Sequence, residues 1–375
     1  MATRLTLILL LRRPISVSSY SSRNTHHASF PLAHLVVKYL LMSAKTQEEA
    51  TGPLGVIGCL TAGFDVLGRH LWLVALPVLL DLLLWLGPRF SIAPLLRQFI
   101  ALLMAQPPPD PTTARQVTQA VQLLEQFGER FNLLSLLSGL PLLNVPSLLA
   151  RHASGTVSPL GEPHELLVAS VLVLLAWVVV LVPIGLVLGT LYLSGLAHQV
   201  RAMRSPDEQE ADQATGVSSE VGKLIRVFLF AAGVLVVGMV LVPLWLLLAG
   251  MATAIAPLLG FLVWALSVGM GSYVALHLLF VVHGILLGGR GLLQAVWESV
   301  VLIHTQLSSV VGLVALVLVI YEGLGFVWSL PSGDSWSLLV GILGNACIAT
   351  GLTAATFVFY RERSAVSGQQ SAVSG

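Results

Sequence analysis

Residues 166–196 read LLVASVLVLLAWVVVLVPIGLVLGTLYLSGL, with no Asp, Glu, Lys or Arg anywhere in the run. Wound as a helix, such a segment extends for about 46 Å, against a hydrocarbon thickness of roughly 30 Å. No soluble core needs an apolar helix of that length, so the run predicts a membrane span, with Pro183 interrupting it. Four similar runs follow, at 227–248 with Pro243 inside, 257–282, 308–328 and 336–360. One precedes it, at 71–87, with Trp72 and Trp85 near its two ends, where an aromatic belt would sit. Residues 54–68 contain Asp65 and lead into Arg69, which reads as an interfacial helix feeding that first span. The expected fold is an all-α, polytopic transmembrane helix bundle with six spans. Interior prolines and glycines fit, because neighbouring helices re-satisfy the freed backbone groups.

Composition agrees. Charged residues make up 10% of the chain and hydrophobic residues 56%, whereas soluble domains carry about a quarter charged residues. The net charge of +1 gives no reason to expect a nucleic-acid partner. Cys59 and Cys347 lie far apart in apolar stretches and form no CxxC pair, so they read as small buried residues. No motif calls for a cofactor or a metal.

Residues 1–53 read as a tail apart from the fold. Basic residues and serines dominate it, and no acidic residue occurs before Glu48. It reads either as an organelle transit peptide or as a mis-set start, with the protein beginning at Met42. The polar stretch after Met42, leading straight into the first amphipathic segment, favours the second reading. Residues 88–164 form the long hydrophilic connection, placed outside the cytoplasm. Within it, 94–106 is helix-like and the prolines at 107–109 and 111 break it. Thr112 or Thr113 then caps an amphipathic helix reaching Leu137, with Val117, Val121, Leu124, Phe127, Phe131 and Leu134 at helical spacing. That helix is expected on lipid or on the bundle itself. Residues 165–361 hold the remaining five spans, and 362–375 read as a disordered tail.

Basic residues set the orientation. Arg201, Arg204, Lys223 and Arg226 flank one connection, Arg290 lies in another, and Arg361 and Arg363 follow the last span. The alternate connections, 249–256 and 329–335, contain no Lys or Arg. The positive-inside rule then places both termini in the cytoplasm of a multi-pass cell-membrane protein. The loop at 201–223 carries Asp207, Glu208, Glu210 and Asp212, which keep it in water.

Ionisable residues inside spans are functional candidates by default. Asp81 lies in the first span and Glu322 in the outer half of the fifth, with no basic residue in a span to pair with. They read either as a proton-sharing carboxylate site or, the favoured alternative, as groups reaching the interface or capping a neighbouring backbone. His277 is a third candidate. It is six residues from His283, so on one helix the two point to different faces and make a poor metal pair. Gly185 and Gly189 form a GxxxG notch for close packing, within the chain or between copies. Gly288-Gly289-Arg290-Gly291 lacks the strand–loop–helix setting of a phosphate loop and reads as a turn.

That turn is followed by Ala295-Val296-Trp297-Glu298-Ser299, another span, a short polar loop and a helix closing on Phe357-Val358-Phe359-Tyr360-Arg361. The arrangement resembles the six-helix membrane domain found beside bacterial glycerophosphodiester phosphodiesterases, over about a quarter of the chain. The resemblance implies a membrane bundle without catalytic residues, since the phosphodiesterase is a separate soluble barrel of about 250 residues. The long outer connection departs from that group's compact pattern. Three functions are weighed. A non-enzymatic protein that organises the envelope or supports a membrane complex stands first, with the bilayer and a second copy or another membrane protein as partners. A transporter or channel using Asp81 and Glu322 stands second, and would bring them with His277 to one cavity. A lipid-modifying enzyme stands third, and needs Asp81 and the histidines on one side.

Overall fold

The computed structural model describes residues 54–105, 111–139, 142–151, 158–161, 163–203 and 220–373. The tail with its alternative start at Met42, the prolines at 107–109 and the acidic cluster at 207–212 lie outside the described residues. The fold is a helical membrane bundle. Its elements are α1 (Val56–Arg69), a 3-10 turn (Leu71–Val74), α2 (Ala75–Leu86), β1 (Arg89–Ser91), α3 (Ala93–Met104) and α4 (Pro111–Arg130). A second 3-10 turn (Leu133–Leu137), α5 (Leu148–Arg151) and β2 (Glu165–Leu167) complete the first half. The second half is α6 (Val171–Ala202), α7 (Glu220–Ile255), α8 (Pro257–Leu278), α9 (Val281–Gly288), α10 (Leu292–Trp328) and α11 (Leu338–Val373).

Five helical stretches are long and apolar enough to cross a bilayer: α6, α7, α8 with α9, α10 and α11. The last is the hub, with 61% of its apolar stretch buried against 17–22% in the other four. Small residues allow this. A Cβ on Gly63 of α1 would fall 2.5 Å from the Ala355 nitrogen, and one on Gly351 would strike the Phe64 ring, so α1 and α11 touch nearly backbone to backbone. A bend of 95° separates α1 from the Leu71–Leu86 stretch. The Leu54 carbonyl accepts from Arg363 Nη2 at 3.4 Å. At the other end Trp85 Nε1 donates to the Gly333 carbonyl at 2.7 Å, just before α11 begins. From Leu338 to Arg363 that helix rises about 39 Å, so the first stretch passes from one end of the hub to the other. Counted as one span broken at His70, it adds a sixth passage to the five.

One end of the bundle is basic. Arg361 Nη1 donates to the Val200 carbonyl at 3.0 Å, and Arg201 pairs with Glu220 at 3.0 Å. Arg226 Nη1 donates to the Gly289 carbonyl at 3.0 Å, and Arg290 pairs with Glu298 at 3.1 Å. Lys223, fully buried, reaches Glu220 at 2.9 Å. Both described chain ends of the bundle, Leu54 and Arg363, meet here.

Several boundaries differ from expectation. Helices α6, α7 and α9 run past the apolar stretches, to Ala202, from Glu220 and to Gly288, where Gly289 closes the last with left-handed φ of 63°. The fifth span is the second half of α10, which kinks at Gln306 (φ −126°, ψ 29°). There the Thr305 hydroxyl bonds back to the Val301 and Leu302 carbonyls, a local competitor that bends helices. Helix α11 extends through residues 362–373 to Val373. Helix α4 already starts at Pro111, so Thr112 and Thr113 lie within it, and it stops at Arg130 instead of reaching Leu137. Asn132 ends it: its side-chain oxygen accepts from the Phe90 nitrogen at 3.1 Å and the Leu134 nitrogen at 3.2 Å. Helices α3 and α4 pack on each other and leave Phe99, Leu102, Met104, Leu123 and Phe127 exposed.

Candidate functional site

The described residues among 131–151 belong to the long connection, and they fold into the bundle. Leu133, Leu134, Leu137, Leu143 and Val145 are buried in the main core with residues of α6 and α9. The Val145 nitrogen donates to the Ser138 carbonyl at 3.2 Å and closes a neck. Beyond the neck the chain reaches Leu142, a non-glycine residue at φ 65°. The Leu143 carbonyl sits where a Cβ on Gly189 would be, near the middle of α6. Half of the GxxxG notch is therefore filled by this segment, not by another helix, and Gly185 is buried on the same helix.

Irregular backbone inside a bundle must find its hydrogen-bond partners in side chains. Asp81 supplies them. Its carboxylate accepts from Ser147 Oγ at 2.5 Å, from the Leu148 nitrogen at 2.9 Å and from the Leu149 nitrogen at 3.0 Å. It thus starts the short α5, while Ser147 Oγ accepts from the Ala150 nitrogen at 3.0 Å. Glu322 pairs with Arg151 at the end of α5, whose guanidinium also lies 4.0 Å from the centre of the Tyr321 ring. Burial alone would lower the Arg151 pKa, but Tyr321 and Glu322 outweigh it and hold the guanidinium above its ordinary value. The basic partner that Glu322 lacks within the spans arrives from the inserted segment.

A cavity of about 230 Å³ opens at the tip of this segment. Leu142, Leu193, Leu279, Val282, Val317 and Leu352 give it an aliphatic wall. Asn144, His283, Tyr321, Thr353 and Thr356 add polar groups, and the Tyr321 hydroxyl is buried without a hydrogen-bond partner. His283 Nδ1 donates to the Leu279 carbonyl at 3.2 Å, and its Nε2 lies 2.9 Å from Thr356 Oγ1. Thr353 and Thr356 donate to the Ala349 and Thr353 carbonyls at 2.8 and 2.7 Å. Asn144 is exposed, and no hydrogen bond engages its amide. Among the described residues no Asp, Glu, Lys or Arg lines the space.

Asp81, Glu322 and His277 do not converge on this cavity. His277 lies toward the basic end, where its Nδ1 donates to the Tyr273 carbonyl at 2.8 Å and its carbonyl accepts from Ser299 Oγ at 2.6 Å. Its ring lies 5.2 Å from that of His304, and its Nε2 is buried without a hydrogen bond. Among the described residues no three His, Cys, Asp or Glu side chains gather as metal ligands would. Asn144 was not singled out by sequence reasoning, and His283 was weighed there only as a metal partner for His277. The signal for the first was present: Gly139-Leu140-Pro141-Leu142-Leu143-Asn144-Val145-Pro146 is apolar, bracketed by prolines, and unsuited to a helix. Comparison with protein-family models, curated proteins and solved structures gives no match to this chain.

Proposed function

We propose that this chain is a non-enzymatic, multi-pass protein of the cell membrane that supports a membrane complex, with both termini in the cytoplasm. The observation that carries this reading is how the acidic groups of the spans are used. Asp81 serves the backbone of the inserted segment and Glu322 serves Arg151. Carboxylates so engaged hold the fold together and are poorly placed to exchange protons or ions with a substrate. The basic end supports the cytoplasmic placement through the positive-inside rule. The α7–α8 hairpin, with Val236, Val240, Leu247, Leu258 and Leu262 exposed, supports lipid and a second membrane protein, or a second copy, as neighbours. The resemblance of 283–361 to domains beside glycerophosphodiester phosphodiesterases favours a role beside a separate enzyme. Native mass spectrometry of protein released from nanodiscs tests the reading. A stoichiometric second copy or partner protein is expected, and a bare monomer under every gentle condition contradicts it.

A second reading, a carrier or channel, is favoured by the cavity at the tip of the inserted segment. Non-helical backbone at membrane depth commonly lines substrate and ion sites. Flux through proteoliposomes would support it. A lipid-modifying enzyme is disfavoured, since Asp81 and His277 lie toward opposite ends of the bundle.

A further inference from the structure

We propose that the cavity beneath Asn144 is a binding site for a small uncharged amphiphile of about nine heavy atoms in all, with one hydrogen-bonding head on an aliphatic body. Size comes first. A cavity of roughly 150 Å³ in an apolar core takes up benzene, so one of about 230 Å³ holds about half as much again. The wall then selects the body. Leu193 of α6, Val282 of α9, Val317 of α10 and Leu352 of α11 face the space together, and such a surface gains by excluding water. Among the described lining residues no side chain carries a carboxylate, ammonium or guanidinium group, which disfavours an ionic ligand whose charge would enter unpaired.

The head follows from Asn144. Its amide offers two donors and a carbonyl acceptor, and none is engaged among the described residues. Asn144 is exposed at the cavity and the buried Tyr321 hydroxyl beside it has no partner, so a matching polar group here gains a hydrogen bond that lipid tails cannot offer. Thr353 gives its proton to the Ala349 carbonyl, and Thr356 has one proton to divide between the Thr353 carbonyl and His283 Nε2, so both keep only acceptor capacity for a ligand. A hydroxyl is the simplest head that both gives and takes at such a site. The segment carrying Asn144 is itself fastened, through Ser147 to Asp81 and through Arg151 to Glu322, so the amide is presented from a braced position. The inference stands whether the protein supports a complex or carries a substrate.

Fluorine NMR of the full chain in nanodiscs tests it, with 4,4-difluorocyclohexanol as the probe and 1,1-difluorocyclohexane as its hydroxyl-free analogue. A saturable bound resonance is expected for the alcohol, displaced by unlabelled cyclohexanol. Asn144→Leu should weaken it about tenfold, the scale of one hydrogen bond, while leaving the analogue's weaker binding unchanged. Val317→Phe, which fills the space from α10, should abolish both. The proposal is overturned if the alcohol shows no saturable resonance, or if alcohol and analogue bind alike. Equal binding to wild type, Asn144→Leu and Val317→Phe overturns it too, and assigns the signal to bulk lipid.

Discussion

Asp81 stands in the run Leu79-Leu80-Asp81-Leu82-Leu83, where a carboxylate is conspicuous by sequence alone. What it does there depends on Ser147, Leu148 and Leu149, 66 to 68 positions away, and that distance hides the reason from a linear reading. Removing its oxygens strands two backbone N–H groups and a hydroxyl in a buried place. Asp81→Ala should therefore cost roughly 2–4 kcal/mol, read as a lowered midpoint of thermal unfolding in detergent. Asp81→Asn keeps one acceptor and should lose less. An Asp81→Ala protein as stable as wild type would remove the capping role. Glu322 is a contrasting case, since its pair with Arg151 is partly exposed. Glu322→Gln should cost at most about 1 kcal/mol, measured in the same way. The histidines show the limit of spacing arguments. His277 and His283 were separated on the assumption of one helix, whereas a break at Phe280 puts them on two. His283 emerges as a cavity residue only once α11 brings Thr356 against it.

At the scale of elements, the spans were legible because about 20 apolar residues in a row have few other uses. Their ends were not. Hydropathy reports where the lipid stops, and α6 continues through His198 to Ala202 while α7 begins at Glu220. Residues 131–137 read as the end of a long helix, and 138–151 offered no reading. Periodicity looks for long helices, and this stretch folds with only a 3-10 turn and the four-residue α5. Two substitutions test the packing directly. Gly189→Ala places a methyl where the Leu143 carbonyl now lies, and should cost roughly 1–3 kcal/mol. It should also expose the 142–151 segment to limited proteolysis in micelles, and unchanged resistance would show that the segment does not need the notch. On the lipid side, Val240 of α7 is exposed. Val240→Arg should cost roughly 2.5–3.5 kcal/mol of insertion energy and lower the yield in the membrane fraction, while Val240→Leu should leave it unchanged.

For the whole molecule, the order of passages follows from which helix ends touch. Leu54, Ala202, Glu220, Gly288, Leu292 and Arg363 mark the basic end, and Trp85, Val171, Ile255, Pro257, Trp328 and Leu338 mark the other. Six passages with both described ends together were legible from hydropathy and from the placement of Lys and Arg. The hub role of α11 was not, although Gly351 and Ala355, four apart, are the small-residue spacing that allows it. The direct test is single-cysteine labelling in intact cells, after both native cysteines, Cys59 and Cys347, are replaced by alanine. One protein carries Gln294→Cys, on the exposed start of α10 at the basic end, and the other carries Ser332→Cys, in the exposed turn before α11. A membrane-impermeant maleimide should label Ser332→Cys in intact cells, and Gln294→Cys only after the membrane is opened. Labelling of both positions in intact cells would contradict the six-passage bundle and the cytoplasmic placement of its basic end.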